Sequence, residues 1–425
     1  MASGKTLTYA ILGALLLGLA VGYAVNQSGV DSKGIIEGFT LVTTLFLRLI
    51  KMIIAPLVFS TLVVGIAKMG DMSSVGRVGI KAFAWFMAAS VVSLGLGLIL
   101  VNFFAPGEGL NIELPAANTA TGITASGLTL QEFVLHLVPS SIVDGMAKNE
   151  ILQIVVFSVF FGAACAAIGE KGKVLVDALE GVSYAMLKLT MYVMWFAPLA
   201  VFAAVAATVS KSGFGILAVY GEFMLEFYLA IVVLWAILFA AAFLVLGRRA
   251  GGLFAAVREP TLLAFATASS EAAYPKTLAQ LEKFGCSNRV ASFVLPLGYS
   301  FNLDGSMLYC TFAVLFIAQA YGIELSLGQQ LTMLLILMVT SKGMAGVPRA
   351  SLVVIAATLA QFNIPEAGLL LLLGVDHFLD MGRSATNVIG NSVATAVVSK
   401  WEGQLRAEGE AAPELIAATG GERTS

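Results

Sequence analysis

Charged side chains are scarce in this chain of 425 residues: Asp, Glu, Lys and Arg make up 12% of it, whereas 59% of the residues are hydrophobic. A typical soluble domain carries roughly 25% charged residues, about twice that share. Apolar stretches long enough to cross roughly 30 Å of hydrocarbon recur, for example residues 9–25, 80–104 and 227–247. The composition therefore excludes a soluble globular protein and predicts a multi-pass helical protein surrounded by membrane lipids.

Basic clusters, paired cysteines and metal-type histidines are also missing. The formal net charge is −2 and no run of Lys or Arg occurs, so the chain has no electrostatic footprint for nucleic acid. Cys165, Cys286 and Cys310 show no CxxC spacing, which indicates neither a disulfide framework nor a metal cluster. His136 and His377 lie far apart, and we interpret both as packing residues. We expect no metal, no cofactor and no nucleic-acid partner.

The charges around the first spans predict the orientation of the chain. Lys68, Arg77 and Lys81 flank the loop before the third span, whereas residues 105–147 contain acidic groups but no Lys or Arg. The positive-inside rule places that loop in the cytoplasm and residues 105–147 outside. Residues 9–25 have no clean cleavage site, so we interpret them as the first span rather than a signal peptide. We expect the N- and C-termini to lie in the cytoplasm.

Two segments are predicted to lack fixed structure. Residues 105–130 are rich in Gly, Ala, Thr and Asn, which predicts a mobile external loop. Residues 404–425 are acidic and rich in Gly and Ala, which predicts a disordered tail.

After residue 249 the apolar segments become too short or too interrupted for plain spans. Residues 262–274 contain the small polar run that ends in Ser269, Ser270 and Glu271, and residues 290–320 are broken by Asn302 and Asp304. Residues 331–340 and 352–359 then flank a Gly- and Pro-containing stretch. The order is interrupted hairpin, polar-centred helix, interrupted hairpin, polar-centred helix. Paired interruptions of this kind indicate a transporter with its binding site near the bilayer midplane.

The last apolar helix carries a polar stripe. At about 100° per residue, its polar side chains fall within roughly a third of the helix circumference. These are Asp376, Asp380, Arg383, Ser384, Asn387 and Asn391. Ionisable groups inside a membrane are costly and by default mark a substrate or ion pathway.

Three groups of residues suit charged ligands, and each has a structural alternative. Arg383 can grip a carboxylate in a two-pronged fashion and Asp380 can hold an ammonium group, which together would select an acidic amino acid; the alternative is an internal ion pair. Ser269 and Ser270 suit a carboxylate at the end of a half-helix, or they permit close packing. Asn302 and Asp304 suit a cation or a proton, with a structural kink at the neighbouring glycine as the alternative.

Three motifs resemble the dicarboxylate/amino acid:cation symporters, a family that includes glutamate transporters and their archaeal homologues. The motifs are Asn302-Leu-Asp304-Gly305, Ala345-Gly346-Val347-Pro348 and Asp380-Met-Gly-Arg383-Ser384-x-x-Asn387-Val-x-Gly. The similarity runs from Tyr9 to about Trp401. It implies an all-α multi-pass membrane protein with eight transmembrane helices, two re-entrant helical hairpins and inverted repeats, forming a homotrimer that works as an elevator-type transporter.

The resemblance also implies how the chain divides. Residues 1–76 would form scaffold helices, and residues 105–215 would form the external loop with two further scaffold helices. Residues 77–104 and 216–250 would each supply one helix to the moving transport domain. Residues 251–403 would form its core, with both hairpins.

Family roles carry over to the matching positions. Arg383 would bind the substrate side-chain carboxylate, Asp380 the amine and Asn387 the main-chain carboxylate. Ser306 and Ser384 would give supporting contacts. The regions of Ser270, with its neighbour Ser269, and Val347 would contribute hairpin backbone contacts.

Several positions depart from the sodium-coupled members in a way that resembles the bacterial proton-coupled glutamate/aspartate branch. Asn391 stands where those members have Asp, Ala89 where they have Thr, Lys342 where they have an apolar residue, and Glu271 where they have Ser. Cys310 stands where potassium-counter-transporting members have a titrating Glu.

Two further positions bear on substrate contacts. The related proton-coupled C4-dicarboxylate carriers lack an Asp at position 380, so Asp380 favours an amino acid. Arg349 replaces a small residue and alters the usual contact of the second hairpin.

These features predict a proton-driven importer of L-glutamate and L-aspartate in the bacterial inner membrane. Glu271 is the first candidate proton carrier and Asp304 and Asp376 are second choices, because a desolvated carboxyl is protonated more readily. Lys342 would act as a tethered stand-in for sodium. Sodium coupling, C4-dicarboxylate specificity and a passive channel remain alternatives. A membrane aspartyl protease using Asp304 and Asp380 is a further one, but it lacks a GxGD signature.

Overall fold

The computed structural model describes residues 4–28, 33–69, 72–108, 114–116, 138–213, 215–341, 350–373 and 375–407. In this part of the chain the regular structure is helical, which confirms the predicted all-α fold. The helices are α1 Gly4–Gln27, α2 Lys33–Met69, α3 Met72–Phe104, α4 Ile142–Ala147, α5 Ile151–Ala167, α6 Glu170–Met194, α7 Ala197–Ser212, α8 Gly215–Leu246, α9 Arg249–Thr267, α10 Ser270–Phe284, α11 Asn288–Phe301, α12 Asp304–Ala320, α13 Leu327–Thr340, α14 Ala350–Gln361, α15 Leu369–Leu373 and α16 Asp376–Trp401.

Within the described ranges, five helical segments are long and apolar enough to cross a membrane. They are Tyr9–Gln27, Lys33–Ala67, Ser73–Phe104, Tyr220–Leu246 and Asn288–Ala320, the last comprising α11 and α12. The pair α6 and α7 would add a sixth. Helix α5 has 17 residues, and α16, with 26, carries the polar stripe that lowers its apolarity. Helices buried in protein tolerate such polarity because lipid does not surround them.

Two prolines lie in apolar helical segments. Residues 184–209 are long and apolar enough to predict one span, but the structure divides them between α6 and α7, which meet at an angle of 52°. Pro198 lies in the first turn of α7, where its missing N–H costs little, so a new helix begins there. Pro56 lies inside helix α2, which continues past it.

The helices pack in two groups. Helix α2 contacts α5, α6 and α7, and α1 lies against α7. Helix α16 is surrounded by α8, α9, α10, α11 and α12, while α3 packs against α12. Contacts of α11 with α2 and α5 join the groups. Of an 18-residue apolar stretch within Asn288–Ala320, 94% is buried, so the broken pair α11 and α12 lies largely within protein rather than in lipid.

The predicted hairpins take the form of helix pairs. Helices α9 and α10 pack against each other and form hairpin 1, and α13 and α14 form hairpin 2. A capping box at Ser326 and Gln329 fixes the start of α13, since each side chain bonds the other residue's backbone N–H. Residues 342–349, which would form the tip of hairpin 2, lie outside the described residues.

Residues 404–407 correct the prediction of a disordered tail, because they form backbone pairs with the far end of hairpin 1. Cys286 and Leu405 form an isolated antiparallel bridge, and Arg406 N donates to Gly285 O at 2.9 Å. Gly285 ends α10 with φ 121°, a conformation that favours glycine. The rest of the predicted tail, and most of the predicted loop at 105–130, lie outside the described residues.

Candidate functional site

The tip of hairpin 1 is a tight reversal between two helix ends. Helix α9 ends at Thr267, Ala268 adopts a left-handed conformation, and Ser269 is extended. Ser269 Oγ accepts a hydrogen bond from Ala272 N at 3.2 Å and so caps α10. Glu271 is half-buried in the first turn of α10. A helix start of this kind presents backbone N–H groups to an anion.

The break between α11 and α12 holds a cluster of buried polar groups. Asn302 Nδ2 donates to Asp304 Oδ2 at 3.1 Å and to Asn391 Oδ1 at 3.3 Å. Ser93 Oγ of α3 donates to Asp304 Oδ1 at 3.3 Å. Among the described residues, Asn302 Oδ1 and Asn391 Nδ2 have no hydrogen-bond partner, although both are buried. The acceptor Asn302 Oδ1 and the donor Asn391 Nδ2 could each form a further hydrogen bond.

Glycine lets α16 approach this cluster closely. A Cβ atom on Gly390 would lie 1.8 Å from Asp304 Oδ2, and one on Gly305 would lie 2.5 Å from the carbonyl oxygen of Arg383. A larger residue at Gly390 would displace the Asp304 carboxylate, and one at Gly305 would displace the backbone of α16. The motif glycines therefore serve the helix contact itself.

Arg383 lies at the centre of the stripe with only 2% of its surface exposed. Its Nη2 atom lies 3.1 Å from Asp376 Oδ1 and 3.0 Å from Asp380 Oδ1. Its guanidinium carbon lies 4.0 Å from the ring centroid of Tyr309, whose hydroxyl donates to Asp376 Oδ1 at 3.1 Å. Nε and Nη1 find no hydrogen-bond partner in the described part of the chain. Nε–H and the Nη1 group point to different edges of the guanidinium, so each can donate a hydrogen bond to a ligand oxygen.

The two aspartates beside Arg383 differ in access. The Asp376 side chain is 6% exposed, whereas that of Asp380 is 40% exposed. Asp376 is thus enclosed by Arg383 and Tyr309, while the side chain of Asp380 is partly exposed beside Arg383.

Asn387 joins the stripe to the start of α12. Its Oδ1 accepts from Gly305 N at 2.9 Å, and its Nδ2 donates to Ser306 Oγ at 3.3 Å. An amide NH2 group carries two protons, so Nδ2 retains one for a further acceptor. Ser384 is also buried on this helix.

The structure brings together most of the residues singled out from the sequence. Arg383, Asp380 and Asp376 are linked by ion pairs, and Asn302 and Asp304 are linked through hydrogen bonds to other predicted residues. Asn391 belongs with Asn302 and Asp304, while Asn387 and Ser306 form a third linked pair. Lys342, Val347 and Arg349 lie outside the described residues, so their predicted roles remain predictions.

Two tyrosines that the sequence analysis did not single out contact the site. Tyr309 lies beneath Arg383, and Tyr299 OH donates to Ser270 O at 3.0 Å. Tyr299 precedes Asn302 by one helical turn, and this spacing could have indicated that the two side chains lie on the same face of the helix. Tyr309 lies in an apolar run, which gave no sequence signal for its contact with the site.

Comparison with known protein families identifies the chain. A model described as the sodium:dicarboxylate symporter family matches residues 7–401. The chain belongs to this family. It is 42% identical over 405 residues to the C4-dicarboxylate transport protein of Geobacter sp. (strain M21), covering 94% of this chain and 91% of the relative.

Other relatives of this symporter have two kinds of name. The C4-dicarboxylate transport protein of Bacillus subtilis (strain 168) is 39% identical, with 94% of each chain covered. The proton/sodium-glutamate symport protein of Geobacillus stearothermophilus is also 39% identical, covering 93% of this chain and 95% of the relative. The protein is therefore a membrane transporter of the dicarboxylate/glutamate type and not an enzyme, which removes the protease alternative.

Proposed function

We propose that this symporter imports L-glutamate and L-aspartate together with protons. The observation that carries the proposal is the arrangement of Arg383 and Asp380. A buried guanidinium has two unpaired donor atoms among the described residues, and a carboxylate that is 40% exposed lies 3.0 Å from its third. A carboxylate receptor beside an amine receptor matches an amino acid with an acidic side chain.

In this proposal the substrate contacts use the two donors of Arg383 that lack partners among the described residues, together with the polar groups beside them. Arg383 binds the side-chain carboxylate and Asp380 the amine. Asn387 uses its remaining amide proton for the main-chain carboxylate, with Ser306 and Ser384 in support. The tips of hairpin 1, at Ser269 and Ser270, and of hairpin 2, at Val347, close over the substrate.

The choice of proton over sodium rests on the polar cluster at the helix break. Its position 391 holds an amide, so the described cluster has one carboxylate, Asp304, where an aspartate at 391 would give two. A smaller negative charge weakens a sodium site. Lys342 supplies a fixed positive charge in this proposal.

Glu271 remains the first candidate proton carrier because it is half-buried at the tip of hairpin 1. Asp304 is enclosed by Asn302 and Ser93, and Asp376 is engaged by Arg383 and Tyr309, so both stay second choices. Replacing Glu271 with Gln is expected to abolish proton-dependent accumulation. A Glu271→Gln protein that still builds a gradient would remove this assignment.

The driving force is sufficient for accumulation. One net positive charge moved down about 100 mV is worth roughly 2.3 kcal/mol. That free energy corresponds to roughly fiftyfold accumulation of substrate. Because glutamate and aspartate carry one net negative charge, moving one net positive charge requires two protons per substrate, and a third proton would raise the ratio steeply.

The proposal includes the oligomeric state, membrane orientation and domain movement that the family resemblance implies. The protein is a homotrimer in the bacterial inner membrane with cytoplasmic termini. The transport domain, residues 77–104, 216–250 and 251–403, moves as an elevator against the scaffold. Hairpin 2 is the gate.

C4-dicarboxylate transport is the second candidate function. Two relatives at 42% and 39% identity bear that name, and the Asp380–Arg383 pair could remain internal while the other donors of Arg383 bind a dicarboxylate. Both candidates use the same arginine. They differ in whether Asp380 meets an amine.

Uptake into proteoliposomes tests the proposal. Labelled L-aspartate and labelled succinate are offered with sodium and proton gradients imposed separately. We expect saturable uphill uptake of L-aspartate driven by an inward proton gradient without sodium. Uptake that requires sodium and does not respond to the pH gradient would refute proton coupling. Succinate uptake without competition by L-aspartate would establish C4-dicarboxylate transport instead. Passive, non-saturable flux would indicate a channel.

A further inference from the structure

Hairpin 1 is connected to the helix break by a tyrosine that has no assigned role. Tyr299 lies in the last turn of α11, and its hydroxyl donates to the carbonyl oxygen of Ser270 at 3.0 Å. Tyr299 is 3% exposed, and the bond is part-buried because Ser270 is less enclosed. The bond links the tip of one element to the end of another.

The same turn of α11 faces the polar stripe on its other side. Gly298, next to Tyr299, lies so close to α16 that a Cβ atom there would be 2.2 Å from Asn391 Oδ1. Asn302, three residues after Tyr299, donates to that same oxygen at 3.3 Å. The last turn of α11 is thus held between hairpin 1 and α16, and a shift of either moves Tyr299 or Asn302.

We infer that Tyr299 is a positioning residue that holds the tip of hairpin 1 in register with the Asn302–Asp304–Asn391 cluster. It contacts Ser270, whose backbone region binds substrate in the proposed function, and acts on the ligand through that backbone. The inference rests on hairpin 1 being part of the substrate site, but it does not depend on which anionic substrate is carried.

Tyr274 provides a matched control. It is a fully buried tyrosine on α10 whose ring meets that of Tyr299 edge to face, with centroids 5.4 Å apart and an interplanar angle of 81°. Its hydroxyl has no hydrogen-bond partner among the described residues. Tyr274→Phe and Tyr299→Phe therefore remove the same atom from the same ring pair, but only the second removes the bond to Ser270.

The experiment measures KM and the maximal uptake rate of wild type, Tyr299→Phe and Tyr274→Phe in proteoliposomes, with labelled L-aspartate and labelled succinate as probes. Loss of one net hydrogen bond to the binding backbone predicts a rise in KM of about twofold to tenfold for Tyr299→Phe. Its maximal rate and its melting temperature in detergent should stay close to wild type. Tyr274→Phe should leave KM unchanged.

Three results would overturn the inference: a wild-type KM in Tyr299→Phe, an equal rise of KM in both variants, or a fall in maximal rate that tracks a lower melting temperature. If wild type carries succinate and not L-aspartate, the proposed amino-acid specificity fails. The comparison of the variants is then made on succinate, and the two failures remain distinguishable.

Discussion

Arg383 has its three guanidinium nitrogens in different surroundings. Nη2 lies between two aspartates, and the plane stands over the ring of Tyr309, whereas Nε and Nη1 are buried without partners in the described part of the chain. A buried donor left unpaired costs roughly 1–3 kcal/mol, and more when it is charged. A ligand whose oxygen atoms accept hydrogen bonds from these donors would remove that cost.

Replacing Asp380 with Ser tests whether the ligand of Arg383 is an acidic amino acid or a dicarboxylate. The variant loses the carboxylate that would hold the substrate amine, and a charge-assisted hydrogen bond is worth roughly 1.5–3 kcal/mol. We expect the uptake efficiency for L-aspartate to fall by about tenfold to a hundredfold, while that for succinate is kept or rises. Competition of labelled uptake by each unlabelled compound measures the ratio, and an equal loss for both would contradict the assigned role.

The sequence predicted the residues of this site better than their partners. The stripe on α16 follows from helical periodicity, so Arg383, Asp380 and Asn387 could be placed on one face without a structure. Tyr309 could not, because its contact with Arg383 joins two helices that are far apart in the chain. Likewise, the sequence made Asp376 a candidate proton carrier, but only the structure shows that Arg383 and Tyr309 engage it.

At the scale of elements, hairpin 1 is braced by an ion pair between its arms. Glu259 Oε1 of α9 lies 3.0 Å from Lys276 Nζ of α10, and the side chains are 8% and 22% exposed. Breaking a buried pair by removing one partner is costly because the other charge remains in place. The brace therefore holds α9 and α10 together behind the tip.

Replacing Glu259 with Gln should lower the free energy of unfolding by about 1–3 kcal/mol. The matched control is Asp144→Asn, which breaks the exposed pair of Asp144 with Lys148, where the side chains are 53% and 62% exposed. Exposed pairs contribute roughly 0–1 kcal/mol, so the control should be nearly neutral. Thermal unfolding in detergent compares the two, and equal shifts would show that the hairpin pair is no brace.

Helix boundaries were predicted where local chemistry decides them and missed where packing does. The break at Asn302 and the cap at Ser269 follow from residue type. The break between α6 and α7 was missed because residues 184–209 are mostly apolar, with Lys188 as their one charged residue, and Pro198 alone did not indicate a new helix. Pro56 shows that a proline alone does not mark a helix boundary, since α2 continues past it.

At the scale of the whole molecule, the end of α16 is fixed to α3 by charge. Arg77 Nε lies 3.0 Å and Lys81 Nζ 2.6 Å from the two carboxylate oxygens of Glu402, just beyond the last turn of α16. Burial raises the pKa of Glu402, but the hydrogen bonds and charges of Lys81 and Arg77 outweigh it and hold the pKa below its ordinary value.

The sign of the pH dependence follows from that depressed pKa. The stabilisation is fully present above the unfolded pKa of roughly 4.3 and is lost as the pH falls through the lower folded value. We expect Glu402→Gln to be less stable than wild type at neutral pH and the difference to shrink as the pH falls below about 4. Melting temperatures across the acid range measure it, and a constant difference would exclude the ion pairs as its cause.

The segment from 403 to 407 predicts a sharp dependence of stability on where the chain ends. Arg249 Nη1 donates to Arg406 O at 2.8 Å, and Ser287 N donates to Gln404 O at 3.0 Å. A chain ending at residue 402 loses these bonds and should melt at a lower temperature. A chain ending at residue 407 keeps them and should melt at a higher temperature than the chain ending at residue 402, so equal melting temperatures for the two truncations would refute the stabilising role.

That segment also sets an order of events during synthesis. Arg406 Nη2 donates to the carbonyl oxygen of Glu282, a residue 124 positions earlier in the chain. At roughly 5–20 residues per second, the ribosome needs on the order of 6–25 s to travel between them. Hairpin 1 is therefore made well before the strand-like segment that completes its far end. A change in residues 403–407 acts on a hairpin whose own sequence was translated many seconds before.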